Sequence, residues 1–469
     1  MSRRGWTLIA VVLVLGGIIG AYFWTRPKPP PVSSAGIKVG LSMGDKDKIT
    51  RIVLTGRAEG PLTLQKKDGT WVTDPPVAGT LDPSNLDDLL YSFSALQAER
   101  TIDDNPTDLS QYGLTPPKAT ATGTWEDGTV RTMFLGNKTD AGTAYYLQVK
   151  GDPKVYTVWM NNGQHFHWTA KDLRSKTIAP VLNYDEITYV KLLLRDRSVI
   201  EVKQKTTEEA KSLQLGFGPY IVTQPYRAPR GLDTEQQDKI IKSTQSISIA
   251  GFAEDNPKDL ARYGLARPVG EAIVRDKANT IDFIFGAQKE TQTYFMIRGQ
   301  PTVYLTDTSA ASFLDLKPFS VIDKFTFIPN IDDVDRIDIT AAGRTHLLTI
   351  TRTMKKAEKA GDPDQVVASY TADARPSDED NFKKFYQNLI GLTVEGEVSR
   401  VVPGQPEVSV KFTLNKGTVR AVRVDYLTYD RDFDAVFVNG VSEFALTKVQ
   451  LTRMLDKLDT LLKGGKVTD

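Results

Sequence analysis

The hydrophobic pattern divides the chain into two unlike parts. Residues 6–24 read WTLIAVVLVLGGIIGAYFW, without a charge, whereas everything after residue 40 mixes apolar and polar positions at strand or helix spacing. As an α-helix the first run is about 28 Å long, close to the roughly 30 Å hydrocarbon core of a bilayer. Trp6 stands at one end and Tyr22 and Trp24 at the other, where amphipathic rings prefer the headgroup zone. The run is longer than the apolar core of a signal peptide and passes into Arg26-Pro27-Lys28-Pro29-Pro30-Pro31 rather than a small-residue cleavage site. The pattern predicts an uncleaved transmembrane anchor over 1–25 and a semi-rigid Pro-rich spacer over 26–40. Arg3 and Arg4 nearly balance Arg26 and Lys28, so flanking charge scarcely sets orientation. A single span at the start favours a cytoplasmic N-terminus, with the bulk extracytoplasmic, periplasmic or at the cell surface.

The second part repeats itself. Residues 105–117 read NPTDLSQYGLTPP and residues 256–268 read NPKDLARYGLARP, with eight of thirteen positions identical. A helix is predicted before each motif, over 81–99 and 232–246. Asp82 and Asp233 are placed to cap them, and Pro83 suits the first helical position. Leu86, Leu89, Leu90, Phe93 and Leu96 recur at helical spacing on one face of the first. After each motif come strand-like runs, 129–135 ending at Gly136 and 280–285 ending at Gly286. Residues 145–150 and 294–298 then correspond, as do Val155-Tyr156 and Val303-Tyr304. Alternating runs at 49–54, 187–192 and 334–339 open three units alike. The third has a helix over 377–389, strands over 408–414, 419–426 and 435–438, and an amphipathic terminal helix over 448–462. It lacks Tyr-Gly-Leu.

Lys67-Asp68-Gly69, Glu126-Asp127-Gly128 and Asn415-Lys416-Gly417 read as hairpin turns. The fold class is therefore α+β: a transmembrane helix, then three tandem β-β-α-β-β-β units of mainly antiparallel sheet with one or two helices each. Their predicted bounds are 41–183, 184–328 and 329–469. A chain of 469 residues suits about three domains of ordinary size.

Composition narrows the chemistry. With 59 basic and 58 acidic residues, no basic excess points to nucleic acid. The absence of cysteine excludes disulfides, thiolate metal sites and a thiol nucleophile. There is no phosphate-binding P-loop and no nucleophile elbow, and Gly216-Phe217-Gly218 lacks the third glycine of a dinucleotide turn. His165 and His167, at alternate positions of an expected strand, are the best metal candidates, but two ligands make no site. The acidic runs at 102–105 and 378–381 lack the EF-hand spacing. No enzyme activity, catalytic residue, cofactor or metal is expected.

The shared motif reads as a structural turn. Gly113 and Gly264 end a short helical turn at positive φ, and Asp108 and Asp259 are placed to cap it. Leu114 and Leu265 plug back into the core. Pro117 and Pro268 start extended segments after Tyr112 and Tyr263 have closed the turn. Asn105 and Asn256 precede proline and are biased away from helix.

The strand Lys67-Asp68-Gly69-Thr70-Trp71, together with Asp-Leu-x-x-Tyr-Gly-Leu-x-x-Pro at 108–117 and again at 259–268, resembles the DUF4340 family, a bacterial domain of unknown function. Leu135-Gly136 and Val155-Tyr156 fit its later part. The second unit departs from the family pattern, with Phe217-Gly218-Pro219-Tyr220 where the Asp-Gly-x-Trp strand would stand. The resemblance implies membrane anchoring and genetic association with ABC-type transporters similar to the gliding-motility system, and it supplies no catalytic residues.

The expected function is a non-enzymatic, membrane-anchored extracytoplasmic scaffold. Its partners would be the lipid bilayer through residues 6–24 and a membrane protein complex, as an accessory subunit of an ABC-type transport system. The alternative is a module binding cell-envelope polysaccharide, with Trp125, Tyr145, Tyr146, Trp159, Phe166 and Trp168 as stacking faces. An unrecognised hydrolase is the remaining class.

Overall fold

The computed structural model describes residues 39–212, 215–355, 365–417 and 419–468. The anchor predicted over 6–24, and the spacer up to residue 38, lie outside the described residues. Among those described, no helix is long and apolar enough to cross a membrane. The chain forms two compact units, one ending at Ser175 and one starting at Lys176. It is α+β and sheet-rich, and its strands pair antiparallel.

The first unit is built on an eight-stranded sheet. In spatial order its strands are Thr70–Asp74, Leu62–Lys67, Ile49–Thr55, Ala119–Trp125, Val130–Lys138, Ala144–Val149, Val155–Trp159 and Arg100–Asp103. Alternation decides which side is covered: along Ala119–Trp125, Ala119, Ala121 and Trp125 are buried while Thr120, Thr122 and Thr124 are half-exposed. The helix Pro83–Ser94 packs on the buried face through Leu89, Leu90 and Phe93. Its entry is fixed by Asp82, whose carboxylate accepts from Ser84 N at 2.9 Å and Asn85 N at 3.1 Å. Gly123 on the central strand lets the Phe93 ring approach, since a Cβ there would collide with it. The Phe93 and Trp125 rings are 5.6 Å apart.

The helix is shorter than the 81–99 predicted. Past Ser94 the burial period changes from helical to two: Leu96 and Ala98 are buried and Gln97 is exposed. The segment Ala95–Ala98 pairs as a strand with Val39–Ser42. Leu96 thus serves the core from a strand, not from the helix face.

The second unit carries two nine-stranded sheets that follow the order of the first with one more strand at the outer edge, Arg230–Gly231 and Arg375–Ser377 respectively. One runs from Arg230–Gly231 through Tyr220–Gln224, Val199–Gln204, Tyr189–Leu193, Gly270–Arg275, Thr280–Lys289, Gln292–Ile297 and Thr302–Asp307 to Gly251–Asp255. The other runs from Arg375–Ser377 through Gln365–Ala372, Arg344–Lys355, Val334–Ala341, Val408–Leu414, Ala421–Thr428, Phe433–Val438 and Val441–Thr447 to Gly396–Glu397. One continuous hydrophobic core serves both, from Leu182 to Val467. The half-buried Arg230 side chain donates to Asp323 O at 3.0 Å and Phe325 O at 2.7 Å. Its guanidinium lies 5.2 Å from the Phe444 ring centre. The Tyr226 hydroxyl donates to Glu397 at 2.6 Å.

The five-strand plan expected for each unit undercounts. The missing strands include the central Ala119–Trp125 and Gly270–Arg275, short edge strands such as Arg100–Asp103 and Gly396–Glu397, and the long ribbon Arg344–Lys355 with Gln365–Ala372. The helix predicted over 232–246 is a single stretch, Gln237–Ile241. Beyond Ile240 and Ile241 the sequence Lys-Ser-Thr-Gln-Ser offers no apolar face, and the backbone closes in i→i+3 turns. In the third sheet the helix Glu379–Ile390, capped by Asp378, and the terminal helix Lys448–Leu462 lie where helical spacing places them.

Candidate functional site

The shared motif occupies the same topological place in both copies. In the first it joins the far-edge strand Arg100–Asp103 to the central strand Ala119–Trp125, so the chain must cross the strands between them. The same connection in the second copy runs from Gly251–Asp255 to Gly270–Arg275. Ser110–Tyr112 and Ala261–Tyr263 form one 3₁₀ turn each, and Gly113 and Gly264 end them at φ of 69°. Leu114 N and Leu265 N close the turns onto Leu109 O at 3.1 Å and Leu260 O at 3.0 Å. The Asp108 carboxylate accepts from Ser110 N at 2.8 Å, and Asp259 from Ala261 N at 2.9 Å. The two hydrogen bonds to Ser110 hold the Asp108 carboxyl below its usual range.

The strands beneath are shaped to receive the turn. They do not end at Gly136 and Gly286, as alternation had predicted, but run on to Lys138 and Lys289 through irregular pairing. A Cβ on Gly136 would fall on the carbonyl oxygen of Tyr112, and one on Gly286 on that of Tyr263. The Tyr112 hydroxyl donates to Asp103 at 3.1 Å, and the Tyr263 hydroxyl donates to Glu254. Burial and the Asp103 carboxylate raise the Tyr112 phenol, whereas the Glu254 hydrogen bond leads for Tyr263. Each tyrosine packs on a strand tyrosine, Tyr146 at 5.1 Å and Tyr294 at 4.9 Å between ring centres.

The plug differs from expectation. Leu114 and Leu265 are buried, but Leu265 joins a small separate cluster with Tyr263 and Val303. That cluster rests on Ile284, Tyr294 and Met296, which alternate with the Phe283, Phe285 and Phe295 of the main core. The motif therefore seals the sheet face opposite the main core. Asn105 N bonds Asp103 at 3.0 Å, and Asn256, at φ of 52°, donates from its N–H to Pro301 O at 2.6 Å. After Pro117 and Pro268 the next residues, Lys118 and Val269, donate to Leu135 O at 2.7 Å and Phe285 O at 2.8 Å.

In the first unit the motif also forms one wall of a cleft of about 640 Å³, a volume ordinary for small-ligand sites. Pro116, Pro117 and Lys118 line it from the motif side, with Asn137 and Lys138 from the strand. Glu59 and His167 face them from the other side. His165 and His167 are not on a strand: they lie on the 3₁₀ turn His165–His167 that follows the short helix Met160–Gln164. Their rings have separate partners. His165 Nδ1 lies 2.7 Å from Ser92 Oγ, and burial lowers its pKa. His167 Nδ1 lies 3.3 Å from Glu59 Oε2. Burial works against the Glu59 charge, but its own backbone N–H and the His167 ring hold the carboxyl below its usual range. Arg57 ties the two elements together, donating to Gly60 O at 2.7 Å, Phe166 O at 3.1 Å and Trp168 O at 2.5 Å. Among the described residues no group of three His, Asp or Glu side chains is arranged to hold a metal.

Sequence reasoning had singled out His167 but not Glu59, Lys118 or Lys138, because nothing in the local pattern links residues so far apart. Of the aromatics expected as stacking faces, Trp125, Tyr145 and Phe166 are buried, and Trp159 is exposed. The acidic run at 378–381 caps a helix, with Asp378 accepting from Asn381 N at 3.0 Å.

The family model described as Domain of unknown function (DUF4340) matches residues 71–255 and again 221–416. The matches begin on Trp71 and Ile221, in the corresponding strands Thr70–Asp74 and Tyr220–Gln224, and each passes from one sheet into the next. No curated protein and no solved structure matches the chain.

Proposed function

The chain belongs to the DUF4340 family, and from that premise we propose that it is a non-enzymatic, membrane-anchored extracytoplasmic scaffold serving a membrane complex of the ABC-transporter type. One observation supports this reading most. The ribbon Arg344–Lys355 with Gln365–Ala372 is longer than the sheet that carries it. Its neighbour Val334–Ala341 pairs with residues 344–349, and Arg375–Ser377 pairs with Tyr370, Thr371 and Ala372. From Thr353 to Lys355 and from Gln365 to Val367 the two strands pair only with each other. Arg352 anchors the base, donating to Asp335 at 2.8 Å, Ile331 O at 2.7 Å and Val334 O at 3.0 Å. Beyond it Met354 is 67% exposed and Val366 62%.

A free two-stranded ribbon is marginal in water, and unpaired strand edges invite another strand. An extended segment of a partner protein, adding along this edge and covering Met354 and Val366, satisfies both needs. Full-length protein purified from its native membrane in mild detergent is expected to bring a membrane partner with it. The double substitution Met354→Asp and Val366→Asp is expected to lose that partner without unfolding the chain. Wild-type protein that always purifies alone sinks the reading.

A further inference from the structure

The two motif-bearing copies share a scaffold but differ at one place. In the second copy, the turn after the central strand Tyr189–Leu193 is bridged to its surroundings. Arg197 there donates to the carbonyl of Pro268, the last residue of the motif, at 3.0 Å. Asp196 pairs with Lys317 at 2.6 Å, and Arg195 with Asp315 at 2.9 Å. In the first copy, the corresponding turn after Ile49–Thr55 carries Glu59 and reaches His167. The space between that turn and the motif's Pro117 is the cleft. One copy has closed the place with its own ion pairs and the other has left it open.

The open copy also carries charge that the protein does not neutralise. Lys118 and Lys138 are both exposed at the cleft. Among the described residues neither has a carboxylate within ion-pair distance, and Lys138 Nζ rests 5.6 Å from the Tyr145 ring centre. Two ammonium groups in one cleft call for an anion. Across from them Glu59 is held in its charged form and can only accept hydrogen bonds. A bare phosphate or a simple carboxylate brings no donor for it, and a dianion is repelled by it. The ligand therefore needs one negative charge together with hydroxyl groups. Asn137 and Gln164 add amides able to donate and accept, and Pro116 and Pro117 add flat apolar faces.

We propose that this cleft binds an acidic saccharide, a hydroxyl-bearing sugar ring with a single carboxylate. The carboxylate lies against Lys118 and Lys138, the hydroxyls donate to Glu59, and the prolines cover a C–H face of the ring. Arg57 is a positioning residue: it fixes the Glu59 turn against the His167 turn without lining the cleft itself. This site goes beyond the scaffold reading and does not rest on it, since the ribbon belongs to the other unit.

The test is calorimetric titration of the full chain in detergent with methyl galacturonoside, which carries one carboxylate, neutral methyl galactoside and inorganic phosphate. Methyl galacturonoside is expected to bind, and methyl galactoside and phosphate to bind at least about tenfold more weakly. The double variant Lys118→Ala with Lys138→Ala is expected to lower methyl galacturonoside affinity by about tenfold or more, as loss of two charge-assisted contacts implies. Glu59→Gln is expected to weaken it several-fold, and the remote Lys383→Ala to leave it unchanged. Lys118, Lys138 and Glu59 are exposed and Lys383 is half-buried on a helix surface, where it pairs with Glu379, so these variants keep their fold, which a thermal melt verifies. Equal binding of methyl galactoside, phosphate binding as tight as the uronate, no binding of the uronate, or unchanged affinity in the double lysine variant would each overturn the proposal.

Discussion

The carbonyl oxygen of Tyr112 takes the space in which a side chain on Gly136 would begin, and Tyr263 stands in the same relation to Gly286. The turn and the strand glycine are two halves of one joint. The third sheet shows the converse. Val408 pairs with Tyr426 as Ala119 pairs with Leu135, so Leu427 stands where the other sheets have glycine. That copy has no Tyr-Gly-Leu turn to receive. Gly136→Ala and Gly286→Ala are each expected to destabilise by about 1–3 kcal/mol through overpacking. Leu427→Ala is expected to act only through lost apolar contact. Denaturant midpoints at constant slope measure all three.

Gly113→Ala carries a second penalty besides crowding. At φ of 69° a Cβ is strained, and it would also collide with the Asn137 side chain. Its loss of stability is expected to match or exceed that of Gly136→Ala. Because Asn137 lines the cleft, ligand affinity in this variant is expected to fall as well.

Phe93 is fully buried between its helix and Gly123, whereas Tyr91 on the same helix is 46% exposed. Phe93→Ala is expected to cost about 3–5 kcal/mol. Tyr91→Ala is expected to stay within about 0.5 kcal/mol. Equal effects would contradict the assignment of the buried face.

Burial lowers the Lys324 ammonium to about 8, against nearby acidic side chains that favour its charge. A lysine lowered on folding binds fewer protons folded than unfolded between that value and its ordinary pKa near 10.4. Stability contributed at this site therefore rises with pH across that window. Lys324→Met is expected to be more stable than wild type at pH 7, with the difference shrinking as pH rises from 8 to above 10. Thermal melts at pH 7 and pH 10 read the change in sign-defined form, and a difference that grows with pH contradicts it.

Arg230 is half-buried against Phe444, a member of the core that the second and third sheets share. Arg230→Ala removes the hydrogen bonds to Asp323 O and Phe325 O, at about 0.5–1.5 kcal/mol each, together with the contact to the Phe444 ring. Urea denaturation is expected to show a loss at the upper end of that range for the unit beginning at Lys176.

Much of the fold was legible in local pattern. The terminal helix 448–462 and the strand 408–414 were read to the residue, because amphipathic spacing and strict alternation leave little choice. Elements ruled by distant contacts were not legible. The helix expected to reach residue 99 stops at Ser94 because Leu96 and Ala98 alternate against the partner strand Val39–Ser42. The ribbon Arg344–Lys355 with Gln365–Ala372 escaped because its outer part alternates toward no core. In the cleft, His167 could be noticed from its Phe166-flanked pair with His165. Glu59 and the two lysines could not, since only the sheet order brings residues 59, 118, 138 and 167 together.

The scaffold reading is tested most directly by a photo-crosslinking side chain placed at position 366 in the full-length protein, irradiated in its native membrane. A single crosslinked membrane-complex subunit, lost when the crosslinker is moved to the buried position 348, is the expected result. Identical crosslinking patterns at the two positions, or no protein adduct at 366, would contradict it.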